Sequence, residues 1–310
     1  MGRFSEAQWA VVLGGSSGFG LATAKKLSAE GMSLCIVHRD RRGAMDRVSR
    51  EFDAIRAHGH PFISLNTDAL APEGMAKVIE ALTVGMQPAG KVRVLLHSIA
   101  YGNLKPIVAA AGPSALGQPL DRLAGALGLS RVQVDRAVQH LADEGEPIFQ
   151  VLNPVEYGDA LIDDEDMART IYSMGTSLLT WVQRLFAAGL FAADARVIGL
   201  TSEGNEVAWR GYAAVAAAKA ALESVSRAIA VEFGPLGIRS NIVQPGVTDT
   251  PALRVIPGSG RMKAGARLRN PLGRLTVPED VADVVFLLSL DEAHWMNGAL
   301  IRVDGGEHVA

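Results

Sequence analysis

The 310 residues are 48% hydrophobic and 20% charged, which suits a globular chain with one large core or two modest ones and excludes disordered, collagen-like and coiled-coil readings. With 30 basic against 33 acidic side chains the net charge is -3, so no chain-wide field draws nucleic acid or anionic membrane to the protein. The one cysteine, Cys35, sits in an apolar run as a core residue and cannot form an internal disulfide. A reducing, cytoplasmic setting is expected, with neither a secretory leader nor an apolar stretch of the roughly 18 residues that a membrane span needs.

Short apolar runs at 10–13, 33–37, 62–65, 92–96, 196–200, 239–243 and 300–303 alternate with longer amphipathic stretches. Runs apolar on both faces predict strands covered on both sides, and the alternation predicts right-handed crossovers joining parallel strands. The expected fold is α/β, a doubly wound parallel sheet spanning 1–310 as a single domain. About a hundred residues separate the fourth and fifth strands, where one crossover takes ~30, so an insertion is placed at 103–164, ahead of a helix over 165–188.

Directly after the first strand comes Gly14-Gly15-Ser16-Ser17-Gly18-Phe19-Gly20, followed by a helical run. Glycine at 14, 18 and 20 permits a tight turn and close backbone approach to a pyrophosphate. The helix that follows offers unpaired N–H donors and the positive end of its dipole. The context of strand, glycine loop and helix points to dinucleotide binding.

This glycine spacing resembles the short-chain dehydrogenase/reductase family, whose fold is of the Rossmann type. The resemblance extends through Asp68 and Ala69 after the third strand, His97-Ser98-Ile99-Ala100 at the fourth, Pro245-Gly246-Val247-Thr248-Asp249-Thr250 after the sixth, and Val303-Asp304-Gly305-Gly306 near the end. It implies that Ser16, Ser17 and Phe19 join the glycines around the cofactor, with Ser98, Ile99 and Ala100 beside it. Pro245, Gly246, Val247 and Thr250 would then meet the nicotinamide, its carboxamide held by Thr250 and the Val247 backbone. At the end of the second strand the chain reads Val37-His38-Arg39-Asp40-Arg41-Arg42. A guanidinium there suits a 2′-phosphate; His38 and Arg39 therefore favour NADPH, with NADH the alternative and with Asp40 able to pair the arginines instead. Asp68 either meets the adenine or caps a helix.

Most relatives in that family place a Tyr four residues before a Lys; here Val215 holds that place, and Tyr212 lies seven residues before Lys219. On a helix the two share a face but stand roughly 10 Å apart. With His97-Ser98-Ile99-Ala100-Tyr101, this spacing is similar to the enoyl-acyl-carrier-protein reductases, and the C-terminal part to their NADPH-using bacterial branch. The resemblance implies that Tyr212 hydrogen-bonds an enolate oxygen while Lys219 binds the nicotinamide ribose and lowers the phenol pKa. Ser202, seventeen residues before Lys219, stands where ketoreductases carry a carbonyl-binding serine, and either assists the enolate or satisfies loop backbone. Tyr101, Trp209 and Leu253 are candidate substrate contacts, the two aromatics being acyl-chain walls or core packing.

From Thr250 to Pro278 there is no acidic residue but six basic ones, Arg254, Arg261, Lys263, Arg267, Arg269 and Arg274. This segment, 250–278, is read as a lid closing over an acyl thioester and facing an anionic carrier, either an acidic acyl carrier protein or coenzyme A, unless salt bridges elsewhere absorb the charges. Residues 120–141 resemble a helix-turn-helix, but 116–147 carry three arginines against five acids, which opposes DNA contact. A helical roof over the cleft, or part of a dimer or tetramer interface, is expected instead. The seven histidines show no metal-ligand spacing, so no metal is expected. The leading expectation is NADPH-dependent reduction of a 2-enoyl thioester in fatty-acid synthesis. The alternatives are reduction of a 3-oxoacyl thioester or other carbonyl, and a dinucleotide-sensing regulator that uses the insert.

Overall fold

The structure, a computed structural model, describes residues 2–86, 88–109, 118–144, 146, 148 and 157–310. Its strands are β1 (Gln8–Leu13), β2 (Ser33–His38), β3 (Phe62–Asn66), β4 (Lys91–His97), β5 (Phe191–Leu200), β6 (Ile238–Pro245) and β7 (Leu300–Val303). They form one sheet, parallel throughout, in the order β3-β2-β1-β4-β5-β6-β7. Every run read as a strand from the sequence is one, because burial on both faces is what the unbroken apolar pattern records.

Helices cover both faces. On one, α3 (Pro72–Gly85), α7 (Ser177–Ala187) and α8 (Ala213–Glu232) bury Met75, Val78, Leu82, Trp181, Leu185, Leu222 and Ile229 against Val11, Leu13 and Leu95. On the other, α1 (Gly18–Ala29), α2 (Met45–Arg56) and α11 (Pro278–Ser289) bury Leu21, Leu27, Phe52, Val281 and Val285 against Val12, Ile36 and Leu96. Strands β1 and β4 are neighbours although β2 and β3 intervene in the chain. The connections leaving their carboxyl ends part to opposite faces there and open a crevice.

Of the segment 103–164, residues 110–117, 145, 147 and 149–156 lie outside the described residues. The described part contains α4 (Gln118–Leu127) and α5 (Arg131–Asp143), which enclose a small core of Leu120, Ala124, Val134, Val138 and Ala142, separate from those of the sheet. Gly128, at φ +65°, makes the turn between them, and Ser130 caps α5 in a reciprocal box with Gln133. The helix expected over 165–188 is α6 (Asp164–Ile171) and α7 joined by a π-helical turn, Tyr172–Thr176. The wide turn occurs where this element presses on α8: a Cβ on Gly175 would come within 2.6 Å of the Ala218 carbonyl. The segment 250–278, read as a lid, contains α9 (Pro251–Arg254), capped by Thr250, and α10 (Ser259–Arg269), which packs against α5. No described helix is long and apolar enough to cross a membrane.

At the amino ends of the central strands, opposite the crevice, buried Arg93 and Arg196 converge on Asp194, at 2.6 and 2.5 Å, and Arg239 joins them. Arg93 also reaches Asp291 at 2.7 Å. Desolvation opposes ionisation of Asp194, but the Arg196 and Arg93 guanidiniums outweigh it and hold the carboxyl below its ordinary range. A carboxylate whose pKa is depressed by folding contributes stability that is fully present above the unfolded value, 3.8, and is lost as pH falls through the folded one. Screening by solvent at this partly exposed carboxylate limits the loss, and Asp194→Asn is expected to cost about 1 kcal/mol at pH 7 in denaturant unfolding, with the difference from wild type shrinking as the medium is acidified below pH 4. An equal deficit at pH 7 and pH 3 would show that the carboxylate charge is not what matters.

Candidate active site

Gly14 leaves β1 at φ +86°, and a Cβ there would lie 2.5 Å from the Ser98 carbonyl. On Gly20 it would lie 2.2 Å from the Gly14 carbonyl. These two glycines let the loop fold onto the ends of β1 and β4. Ser17 caps α1 without a side-chain hydrogen bond, and the first turn carries no acidic residue, so its N–H donors face the cleft unopposed. A cleft of about 440 Å³ runs along this loop, lined by Gly14, Ser16, Ser17, Gly18, Phe19, His38, Arg39, Asp68, Ala69, Ser98, Ile99, Ala100 and Tyr101. It continues past Thr250 into a second cavity of about 200 Å³, which holds Lys219, Tyr212, Ser202, Trp209, Pro245, Gly246, Val247 and Leu253. The structure thus gathers the sequence-nominated positions along one channel, except Gly20, which lies buried behind the loop against the Gly14 carbonyl.

Several take roles the sequence did not show. His38 is buried, stacks edge-on against Phe52 and pairs through Nδ1 with Asp40 at 2.8 Å. Arg39 lies over the Tyr101 ring at 4.3 Å and bonds Asp68 at 2.9 Å. Asp68 also accepts the Leu70 N–H, making it a turn cap as well as a cleft residue. Arg47 on α2, not foreseen, donates to the Ser16 carbonyl at 3.1 Å and stands 4.0 Å from Asp40, adding a second guanidinium at this end. The Val247 N–H, expected to face the carboxamide, is donated instead to the buried Glu307 at 3.1 Å. Thr250 accepts the Leu253 N–H and thereby starts α9.

Tyr212 immediately precedes α8 and is 8% exposed. Its ring meets Trp209 edge-on at 5.3 Å and lies so close to Gly204 that a Cβ there would approach it to 2.3 Å. Its hydroxyl stands 3.5 Å from Ser202 Oγ. Burial raises the phenol pKa, the Ser202 contact partly opposing and Glu203 adding to the rise. The lowering expected from Lys219 is therefore absent, because nearly two helical turns separate the groups. Lys219 is buried and donates to the Leu200 carbonyl at 2.8 Å; desolvation lowers its pKa to about 8, with Glu223 opposing. Glu223, also unforeseen, is held by Thr201 and Asn205 at 2.5 and 2.7 Å. His97 pairs with Ser177 at 2.9 Å while Nδ1 has no partner, and burial together with the Lys219 charge pushes its pKa down to about 3. Neutral imidazole and cationic lysine therefore share this wall at pH 7.

The basic segment is mostly neutralised. Arg254 and Lys263 meet Asp249, Arg267 bonds the Glu144 carbonyl, Arg269 bridges Glu203 and Glu307, and Arg274 pairs with Asp280. The acceptors all lie outside 250–278, which is why the charge count within it missed them. A third cavity, about 460 Å³, adjoins Tyr212 between the 203–212 loop and α10. Among the described residues no group of three or more His, Cys, Asp or Glu side chains is arranged to hold a metal ion.

Residues 133–308 match the family described as enoyl-(acyl carrier protein) reductase, and residues 8–111 that described as short chain dehydrogenase. The chain is 27% identical over 306 residues to cis-4-hydroxycyclohexanecarboxylate dehydrogenase of Sinomonas cyclohexanicum, covering 99% of this chain and 98% of that protein. It is likewise 27% identical over 299 residues to (3R)-3-hydroxyacyl-CoA dehydrogenase of Mus musculus, covering 96% and 95%. Among solved structures, the angucycline C-6 ketoreductase LanV with bound NADP is similar at a TM-score of 0.71 and 21% identity, covering 100% of this chain and 98% of that one; this shows a shared fold.

A buried lysine whose pKa falls from 10.5 to about 8 destabilises the fold wherever it is charged. Between those two values the unfolded chain binds the proton and the native chain does not, so wild-type stability rises with pH across that window. Lys219→Met is expected to raise stability at pH 7 by about 2 kcal/mol, and the gain should fade between pH 8 and pH 10.5 in urea titrations. A destabilised variant at pH 7 would mean that the bond to Leu200 outweighs the desolvation.

Proposed function

This chain belongs to the short-chain dehydrogenase/reductase family of oxidoreductases, and from that premise we propose that it reduces a 2-enoyl thioester with a nicotinamide dinucleotide, preferring NADPH. The observation that carries this reading is the place of Tyr212: its buried phenol opens onto the junction of two cavities, seven residues before buried Lys219, with Val215 packed where a closer tyrosine would stand.

The cleft suits such a cofactor in shape and charge. The α1 N-terminus presents N–H donors to a pyrophosphate, Arg39 and Arg47 flank the end of β2 where a 2′-phosphate would lie, and Lys219 offers an ammonium to ribose hydroxyls. Bound there, the reduced nicotinamide supplies a hydride. The chain's own contribution is to hold the substrate oxygen as charge develops on it. A phenol with a raised pKa stays protonated at neutral pH and donates a hydrogen bond to an enolate oxygen, whereas alcohol oxidation asks for a tyrosinate base. Apolar Ile256, Met262 and Val215 line the cavity around it and exclude water, which strengthens that bond.

The Ser202–Tyr212 contact favours a second reading, reduction of a ketone or 3-oxoacyl thioester, because two hydroxyls at 3.5 Å can share one carbonyl oxygen. The two relatives described above are named for dehydrogenation of hydroxylated compounds.

Oxidation of NADPH followed at 340 nm with an enoyl thioester and its 3-oxo counterpart separates the two. Faster enoyl turnover, a fall of about 100-fold in kcat for Tyr212→Phe and a smaller fall for Ser202→Ala are expected. Preference for the 3-oxo substrate, with Ser202→Ala as damaging as Tyr212→Phe, would install the second reading, and full activity in Tyr212→Phe would overturn both. Arg39→Ala is expected to raise KM for NADPH by about tenfold and leave that for NADH nearly unchanged. An equal rise for both cofactors would remove Arg39 from 2′-phosphate selection.

A further inference from the structure

Among the described residues, the third cavity is lined by a charge that no acid pairs. Arg261, half-buried on α10, lines this space together with Leu104, Trp209, Tyr212, Ile256 and Met262. Its Nη2 is closed off from solvent and has no hydrogen-bond partner, and desolvation lowers its pKa. The neighbouring cations differ: Arg269 is held by Glu203 and Glu307, and Arg210 bonds the Val108 carbonyl and lies over the Tyr157 ring at 5.5 Å. Glu203, the acid on this wall, is committed to Arg269. A half-buried guanidinium with no paired acid, at the wall of a mainly apolar cavity, gains most from a planar or tetrahedral oxyanion that meets its remaining donors. Tyr212 borders this cavity as well as the adjoining one, so a molecule reacting beside the phenol extends naturally toward Arg261.

We propose that Arg261 determines substrate specificity by receiving an oxyanion, carboxylate or phosphate, carried by the substrate at the end remote from the carbon that is reduced. The placing of the reacting end rests on the reading of Tyr212 given above; the anion site itself rests on the cavity and its unpaired guanidinium. A carboxylate would belong to the acyl portion, a phosphate to the group that carries the thioester.

Calorimetric titration of the full chain with hexanoate, hexyl phosphate and hexan-1-ol measures this without turnover. One of the anions is expected to bind wild type about tenfold more tightly than it binds Arg261→Leu, Arg261→Lys to recover part of the loss, and hexan-1-ol to bind the Leu variant no worse than wild type. The anion that shows the dependence identifies the source, and thermal unfolding of each variant confirms that it is folded. Equal anion binding by wild type and Arg261→Leu, or wild-type preference for the alcohol over both anions, would overturn the proposal. Loss of thioester reduction with Arg261-dependent binding intact would instead remove the reading of the reaction and leave the anion site standing.

Discussion

Parallel strands buried on both faces must end together, and between β1 and β4 the connections leaving those ends diverge to opposite sides of the sheet. Glycine-rich backbone forms one wall of the resulting crevice. Gly14 and Gly20 allow the first loop to lie against Ser98, and the first turn of α1 keeps its donors free by lacking both a side-chain cap bond and an acidic residue. These features serve a ligand at some cost to local stability, since a capped helix is the steadier one. The cleft, the lysine helix and the substrate wall all take their positions from that divergence.

On the far side of the crevice the protein concentrates its unfavourable burial. Lys219 and Tyr212 are both desolvated, and each is held by few polar contacts: Lys219 by the Leu200 carbonyl, Tyr212 by a long approach to Ser202. Compensation comes from Glu223, fixed by two donors from the 201–205 loop, and from His97, whose depressed pKa keeps a second positive charge off the same wall. The amino ends of the central strands do the reverse. There Asp194 gathers three guanidiniums and ties β4, β5 and β6 together. Rigid charge pairing away from the crevice and sparse pairing within it is the distribution expected when preorganised polarity is reserved for a ligand.

The strands and the glycine loop could be read from the chain because their signals are local: burial on two faces appears as an unbroken apolar run, and a tight turn demands glycine. The residues of the channel were legible for the same reason, each lying at a strand end or in a short motif. What escaped depends on partners distant in sequence. His97 meets Ser177 eighty residues on, Val247 loses its N–H to Glu307 across sixty, and Arg269 finds Glu203 across sixty-six. The run from Thr250 to Pro278 looked like a positive patch because its acids are supplied by other segments. The helix over 165–188 was placed correctly in extent, but its π turn follows from the pressure of Ala218 on Gly175, a tertiary effect with no local pattern.

Glu307 shows how those distant contacts shape the site. Desolvation raises its pKa, the Val247 N–H and Arg269 oppose that rise, and nearby Glu203 and Asp304 reinforce it. Arg269 binds Glu203 and Glu307 together, so α10, the loop before Tyr212 and the C-terminal turn are fastened by one guanidinium shared between two carboxylates. That fastening commits Glu203, the acid lining the third cavity among the described residues, to Arg269 and leaves Arg261 without a counter-charge there. The two arginines, eight positions apart on α10, therefore divide the work: one closes the wall of the site, and the other leaves that wall positively charged toward whatever enters.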